Sequence, residues 1–266
     1  MPNGFRIIRW ILVMLGALLL QGPFSLLHAV SIDLRVTPDP IQIGSFFSGA
    51  KLMVSAEVPK GAEVVIKVIG KVSEQELMRK GKRWDLWMNV GEVDVQGAPS
   101  MYLAASSNPK SLLPPAAYSS WGYEALAEKV SFKGPVKAVT SSELFREFVR
   151  LKEGQGLYGV YPGEVKLSPA GDDHELAEAL FWLPTRIAPG TYQVCLTALG
   201  KAQTVQKQCV PLEVAMVGLP AFLSSLARDS EALYGILAVV IAMATGLLTG
   251  VIFKKKRSIA EPPGGH

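Results

Sequence analysis

The chain patterns as a mainly β domain held outside the cytoplasm. Short strand-like segments fill its middle, an apolar stretch behind a basic start precedes them, and a longer apolar stretch followed by a basic cluster comes after them. At the N-terminus, Arg6 and Arg9 precede the apolar run Ile11 to Leu20, Gly22-Pro23 breaks a helix, and Leu27-His28-Ala29 ends on a small residue. That order is the pattern of a signal peptide over residues 1–29, with a mature start near Val30. An uncleaved N-terminal helix is the other reading, but the run is short of the roughly 20 apolar residues a span needs.

Ala232 to Phe253 carries no charge, and at ~1.5 Å per residue it can cross a ~30 Å hydrocarbon core. A helix is the form expected, because it satisfies every backbone amide internally. Lys254, Lys255, Lys256 and Arg257 follow at once and predict a cytoplasmic C-terminus over residues 254–266. Ala238, Ala242, Gly246 and Gly250 recur every four residues, so they line one side of that helix. Small side chains in this spacing, ending in a GxxxG, suit close packing against a partner helix or a second copy. Their general abundance in membrane helices is the plainer explanation.

The charge balance excludes a nucleic-acid surface. Of 27 Lys+Arg, two lie before residue 30 and four after residue 253, whereas of 23 Asp+Glu only Glu261 lies in either end. The exported part is therefore acidic by one charge, and the pI near 9.0 reports topology.

Ile32 to Thr37 alternates apolar and polar residues, the period-2 mark of a half-buried strand. Pro38-Asp39-Pro40 interrupts it and Ile41–Gly44 resumes. Ala50–Val58 and Glu63–Ile69 follow around a Pro-Lys-Gly turn. Gln75–Met78, Trp84–Met88, Val93–Val95 and Met101–Ala105 extend the run of short strands. Helical spacing then appears over Trp121–Val130 and Ser141–Glu153, the second opening on a Thr140–Glu143 capping box. These helices predict an insertion over about 115–155, packed on the strands; a separate small domain is the alternative. Strands return at Leu157–Tyr161, Val165–Ser168 and Leu176–Leu183. Ile187 to Val194 reads as a Pro-Gly turn into a late strand with a corner tyrosine. Together these features predict an immunoglobulin-like β-sandwich over residues 30–216, and residues 217–231 an apolar approach lying at the membrane surface.

Cys195 and Cys209 are the only cysteines. If Thr191–Ala198 and Thr204–Glu213 form a hairpin, a register symmetric about residue 202 sets the pair opposite each other. An exported protein with an even cysteine count favours a disulfide, worth ~2–4 kcal/mol for a loop of about 15 residues. A reactive dithiol lacks a CxxC spacing and a nearby His.

No catalytic motif rises out of the sequence, and a protein without enzymatic activity, metal or cofactor is expected. His174 within Gly171–Glu175 could contribute to a divalent-ion site, but contiguous ligands converge poorly and a solvated turn is the simpler account. Lys80, Lys82 and Arg83 beside Trp84 and Trp87 form the densest unusual stretch. It reads either as a charged hairpin tip leading to core tryptophans or as a surface for an anionic ligand or partner. Met53, Met78, Met88 and Met101 sit on separate apolar strands and read as core filling.

Phe46-Phe47-Ser48-Gly49-Ala50-Lys51-Leu52, Trp87-Met88-Asn89, Pro99-Ser100-Met101-Tyr102, and the block from Leu233-Tyr234-Gly235 through Gly250 to Phe253-Lys254 occur in an order that resembles a family of bacterial conserved hypothetical transmembrane proteins, described chiefly from alphaproteobacteria. The resemblance runs from near Val30 to Lys256. It implies no catalytic residues. It does imply a bacterial inner-membrane location and, from gene neighbourhood, a sulfite-exporter-like permease as a membrane partner. The expected role is an accessory or interaction module for an envelope transporter. The rival expectations are a periplasmic ligand- or metal-binding sensor and an envelope enzyme.

Overall fold

A computed structural model describes residues 32–109, 121–134, 140–200 and 205–257. The expected signal peptide at 1–29 and the tail after Arg257 lie outside the described residues. Among the described residues strand accounts for 47% and helix for 27%, so the fold is a mixed α/β structure dominated by strands.

Two sheets share one apolar core. The first comprises β1 (Leu34–Thr37), β3 (Ala50–Pro59), β11 (His174–Leu183) and β10 (Lys166–Pro169), in that order and antiparallel throughout. The second is curled into a half-barrel and comprises β2 (Ile41–Ile43), β13 (Val205–Met216), β12 (Gly190–Leu199), β4 (Glu63–Ile69), β7 (Tyr102–Ser106) and β9 (Tyr158–Pro162). Its end pairs, β2–β13 and β7–β9, are parallel. Alternation in β3 sends Leu52, Val54, Ala56 and Val58 inward. They meet Ile66, Val68, Val194 and Leu196 from the second sheet, with Phe181 fully buried in the same cluster. Each such residue contributes about 1.5–3 kcal/mol by leaving water. The chain crosses from the first sheet to the second at Pro38-Asp39-Pro40, where both X–Pro bonds are cis. Asp39 Oδ1 accepts the Glu213 amide at 3.2 Å and ties the crossing to β13. At the entry to β12, the Tyr192 hydroxyl donates to the Ala188 carbonyl at 2.8 Å.

Strand β4 is buried along nearly its whole length because a second core covers its sheet's outer face. Between β7 and β9 the chain forms α1 (Gly122–Ala127), β8 (Ser131–Lys133) and α2 (Ser141–Gly154). Phe148 of α2 stands edge-on to Tyr158 at 5.7 Å and to Phe132 at 6.1 Å, with Leu126, Val149 and Tyr102 around them. Buried phenols need partners: Tyr158 donates to the Pro99 carbonyl at 2.7 Å and Tyr102 to the Gly122 carbonyl at 3.2 Å. Burial pushes the Tyr102 hydroxyl up to about 12. At the α2 N-terminus the Thr140 amide donates to the Glu143 carboxylate at 3.1 Å, as the capping box anticipates, and this bond draws the carboxyl below its usual value.

Several strand assignments need correction. Gln75–Met78, Trp84–Met88 and Val93–Val95 are not separate strands. They belong to one long hairpin, β5 (Gln75–Arg83) and β6 (Leu86–Gln96), which pairs with β8. Trp84 and Asp85 are its turn, with φ of 51° and 67°. Two successive positive φ values make a tight hairpin turn usually signalled by Asn-Gly, so Trp-Asp did not mark the turn itself, although the hairpin tip expected over Lys80–Asn89 is present. Nor do the methionines all fill cores: Met101 is fully buried, whereas Met53, Met78 and Met88 are exposed.

Cys195 and Cys209 are direct partners across β12 and β13, in the symmetric register expected, and are joined as a disulfide with Cα atoms 4.1 Å apart. The bond staples neighbours within one sheet. Beside it, Cys195 pairs across β12–β4 with Lys67, which is only 7% exposed. Burial first, then Lys207 and Lys129, lower the Lys67 ammonium to about 8 from 10.5.

Two outcomes are expected. Replacing both cysteines by serine should lower stability by ~2–4 kcal/mol in denaturant unfolding. Between about pH 8 and 10.5 the unfolded chain binds a proton at Lys67 that the folded chain does not, so stability should rise with pH there. Lys67→Met should remove that part of the slope in parallel unfolding titrations, and an unchanged slope would contradict the assignment.

Candidate interaction surface

The β5–β6 hairpin carries the stretch singled out in the sequence, and its tryptophans are not core residues. Trp84 is 96% exposed and Trp87 74%. The reason is length: the hairpin's outer half lies beyond the residues that contact the sheet, so neither face of the ribbon has anything to bury against. Leu86, Met88 and Val90 of the same half are exposed as well, while Val93 and Val95 nearer the base are buried. Lys82 pairs with Asp85 across the turn at 2.5 Å, both well exposed. Lys80 stands opposite Asn89 at an irregularity in the register. Arg83 ends β5 directly before the turn. Large apolar side chains thus stand exposed beside Lys80 and Lys82 on the outer half of the ribbon.

Two clefts adjoin the base of this ribbon. One, of about 430 Å³, lies between the hairpin and α2 and is walled by Leu77, Val93, Phe132, Leu144 and Leu151. The other, of about 850 Å³, is lined by Arg79, Arg146, Arg150, Glu143, Glu147 and Glu153. Arg79 and Glu147 border both. Tyr123 closes one wall of the charged cleft, its hydroxyl donating to Glu153 Oε1 at 2.6 Å; burial first, then this carboxylate, raises the phenol above its ordinary range. Beneath the cleft Lys152 is buried, donates to Gln75 Oε1 at 2.5 Å and lies 5.5 Å from the Phe148 ring centre. Desolvation lowers its ammonium. These clefts went unseen in the sequence because β5 and α2 line both, β6 and β8 complete the apolar one and α1 the charged one, and no local motif joins these elements.

The other sequence candidates lie elsewhere. His174 begins β11 opposite Pro59, and its neighbours hold the β3–β4 turn: the Asp172 and Asp173 carbonyls accept from Lys60, and Glu175 Oε2 accepts the Gly61 amide at 3.0 Å. Among the described residues His174 joins no group of converging ligands; the one acidic trio within ligand distance is Glu76, Glu92 and Asp94, on the hairpin. Ala238, Ala242, Gly246 and Gly250 belong to α4 (Glu231–Arg257), which a tight bend at Ser230 joins to α3 (Leu219–Asp229). The most apolar 18-residue stretch within Glu231–Phe253 of α4 has a mean hydropathy of 2.5, and none of that stretch is buried against the rest of the chain. A side chain at Gly246 or Gly250 would meet nothing within 4 Å. Thr245 and Thr249 return their hydroxyls to carbonyls one turn back, so neither threonine offers an unsatisfied hydroxyl. Lys254, Lys255, Lys256 and Arg257 continue the helix, and their side chains lie outside the described set.

A search of curated proteins finds no match to this chain. A family model described as "Putative transmembrane protein (Alph_Pro_TM)" matches residues 31–255, which takes in the strand domain, the hairpin and the apolar helix alike. The chain belongs to that bacterial transmembrane family, whose function is not established.

Proposed function

We propose that this protein is a single-pass inner-membrane accessory module. Its strand domain stands on the extracytoplasmic side and docks an envelope transporter, of the sulfite-exporter-like permease class, through the β5–β6 hairpin. The observation that carries the reading is the exposure of Trp84 and Trp87 beside Lys80 and Lys82, on the outer half of a ribbon whose buried residues, Val93 and Val95, lie only at its base. A monomer gains no stability from two solvated indoles at a hairpin tip, whereas aromatic anchors with cations supply most of the energy at protein interfaces. The adjoining cleft, with equal numbers of Arg and Glu, suits a partner's polypeptide better than a small anion.

Architecture and topology support the same assignment. The strand order β1-β3-β11-β10 against β2-β13-β12-β4-β7-β9, with the first strand divided between sheets and β9 added in parallel at the edge, favours an immunoglobulin-like module. The Tyr192 hydroxyl bonded four residues upstream is the corner such modules use. The disulfide favours an oxidising compartment for that module. The lysines and arginine that end α4 favour a cytoplasmic C-terminus. Ala238, Ala242, Gly246 and Gly250 would then pack against a transporter helix or a second copy.

A photo-crosslinking side chain at Trp84 or Trp87 of the full chain, in intact cells, should capture a polytopic transporter. Trp84→Ala with Trp87→Ala should abolish its co-purification in mild detergent. Capture of no membrane protein would overturn the docking role. Gly246→Leu with Gly250→Leu should weaken co-purification without altering the strand domain. A phosphatase active only in the periplasm, fused after His266, should be inactive.

A further inference from the structure

We propose that the membrane-proximal end of the strand domain is itself a lipid-contacting surface, with Phe46 and Trp182 seated at the headgroup boundary beside α3. This rests on the reading of α4 as the bilayer span. Strand β13 runs toward that span. Its last residues pair with Ile41–Ile43 of β2 in parallel, and the Val217 amide donates to the Ile43 carbonyl at 3.0 Å. Gly218 turns the chain with φ 68°, and α3 begins at once. The length of α3, at ~1.5 Å rise per residue, sets Gly218 roughly 16 Å or less from the start of the span.

The loop after β2 occupies this end. Gly44 abuts the Val217 side chain, and Phe46, two residues on, is 99% exposed. From Gly44 to Ala50 the loop carries no charge. Trp182, 56% exposed, is brought to the same end by β11: Leu183 pairs with Ala50, and the indole lies against Gly49, where an added side-chain carbon would meet its ring at 3.0 Å. Gly49 has φ 108°, a conformation that favours glycine, so the loop turns against the indole where a larger residue would not fit. Leu180 and Met53, paired across β11 and β3, extend the exposed apolar area away from the tip. Lys51, opposite Trp182, and Arg186 in the β11–β12 loop supply exposed cations at the same level. Helix α3 completes the surface, with exposed Leu219, Phe222 and Leu223 at helical spacing and Arg228 in its last turn. The opposite end of the sandwich instead carries Asp172, Asp173 and Glu175 beside the β3–β4 turn.

Aromatic rings with flanking Lys and Arg are what the interfacial zone of a bilayer accepts. In water these rings gain nothing by being together on a surface. At the interface they would fix the tilt of the sandwich, and with it the direction in which the hairpin is offered to a partner.

The test uses the full chain in phosphatidylethanolamine–phosphatidylglycerol vesicles. The only cysteines are joined to each other, so Phe46→Cys, Lys60→Cys and Leu248→Cys variants each give one site for an environment-sensitive fluorophore. Nitroxide lipids labelled near the headgroup should quench the label at 46 several-fold more than the label at 60. Nitroxides deep in the acyl chains should quench the label at 248. A label at 46 that stays as water-exposed as that at 60, while 248 is quenched, overturns the lipid contact and leaves the anchor standing. An unquenched label at 248 overturns both. Near-native circular dichroism of each variant establishes that the fold is intact.

Discussion

Strand β4 sits between two apolar layers, and that double coverage organises the domain. Its inward residues Val64, Ile66 and Val68 meet the first sheet, while the opposite side of its sheet is roofed by α1, α2 and the base of the hairpin. A strand buried on one face alone would leave Tyr102 and Tyr158 as wet aromatics on an open sheet. The roof gives Tyr158 and Phe148 edge-to-face partners and each buried phenol a carbonyl to donate to. The segment between β7 and β9 is thus a structural layer, and the two sheets and their roof stabilise each other through shared strands.

The same layering explains why the hairpin is free to act. Its base is held by the second core through Val95 and by β8, and the packed groups under the cleft, Lys152 and Gln75, fix its angle. Past Val93 the roof ends, and the ribbon continues without a layer beneath it. Rigid at the root and unburied at the tip, it presents Trp84 and Trp87 at modest conformational cost, because a two-residue turn with both φ values positive leaves the tip few alternatives.

The disulfide and the anchor act on neighbouring parts of the chain. Strand β13 carries Cys209, pairs with β2 beyond it, and then passes through Gly218 into α3 and α4. A load on the membrane helix would reach the sandwich through β13, and the covalent link to β12 spreads that load into the centre of the six-stranded sheet. The aromatic end beside Gly218 gives the domain a second point of contact with its support, so that a single chain connection need not set its orientation alone.

Strands β3, β4 and β11 were legible from their strand-forming residues: β3 alternates apolar and polar side chains because one face leaves water, whereas β4, buried on both faces, is a nearly continuous Val and Ile run. The apolar helix, the Thr140–Glu143 cap and the Cys195–Cys209 register were legible for the same reason: each depends on residues near one another in the chain. The hairpin was misread because Trp and Met are apolar wherever they stand, and only the layer beneath them decides whether they are buried. The roof over β4, the clefts beside α2 and the placing of Phe46 and Trp182 at one end of the strand domain are products of strand order. They join segments up to 136 residues apart in number, between positions 46 and 182, whose side chains carry no local mark of one another.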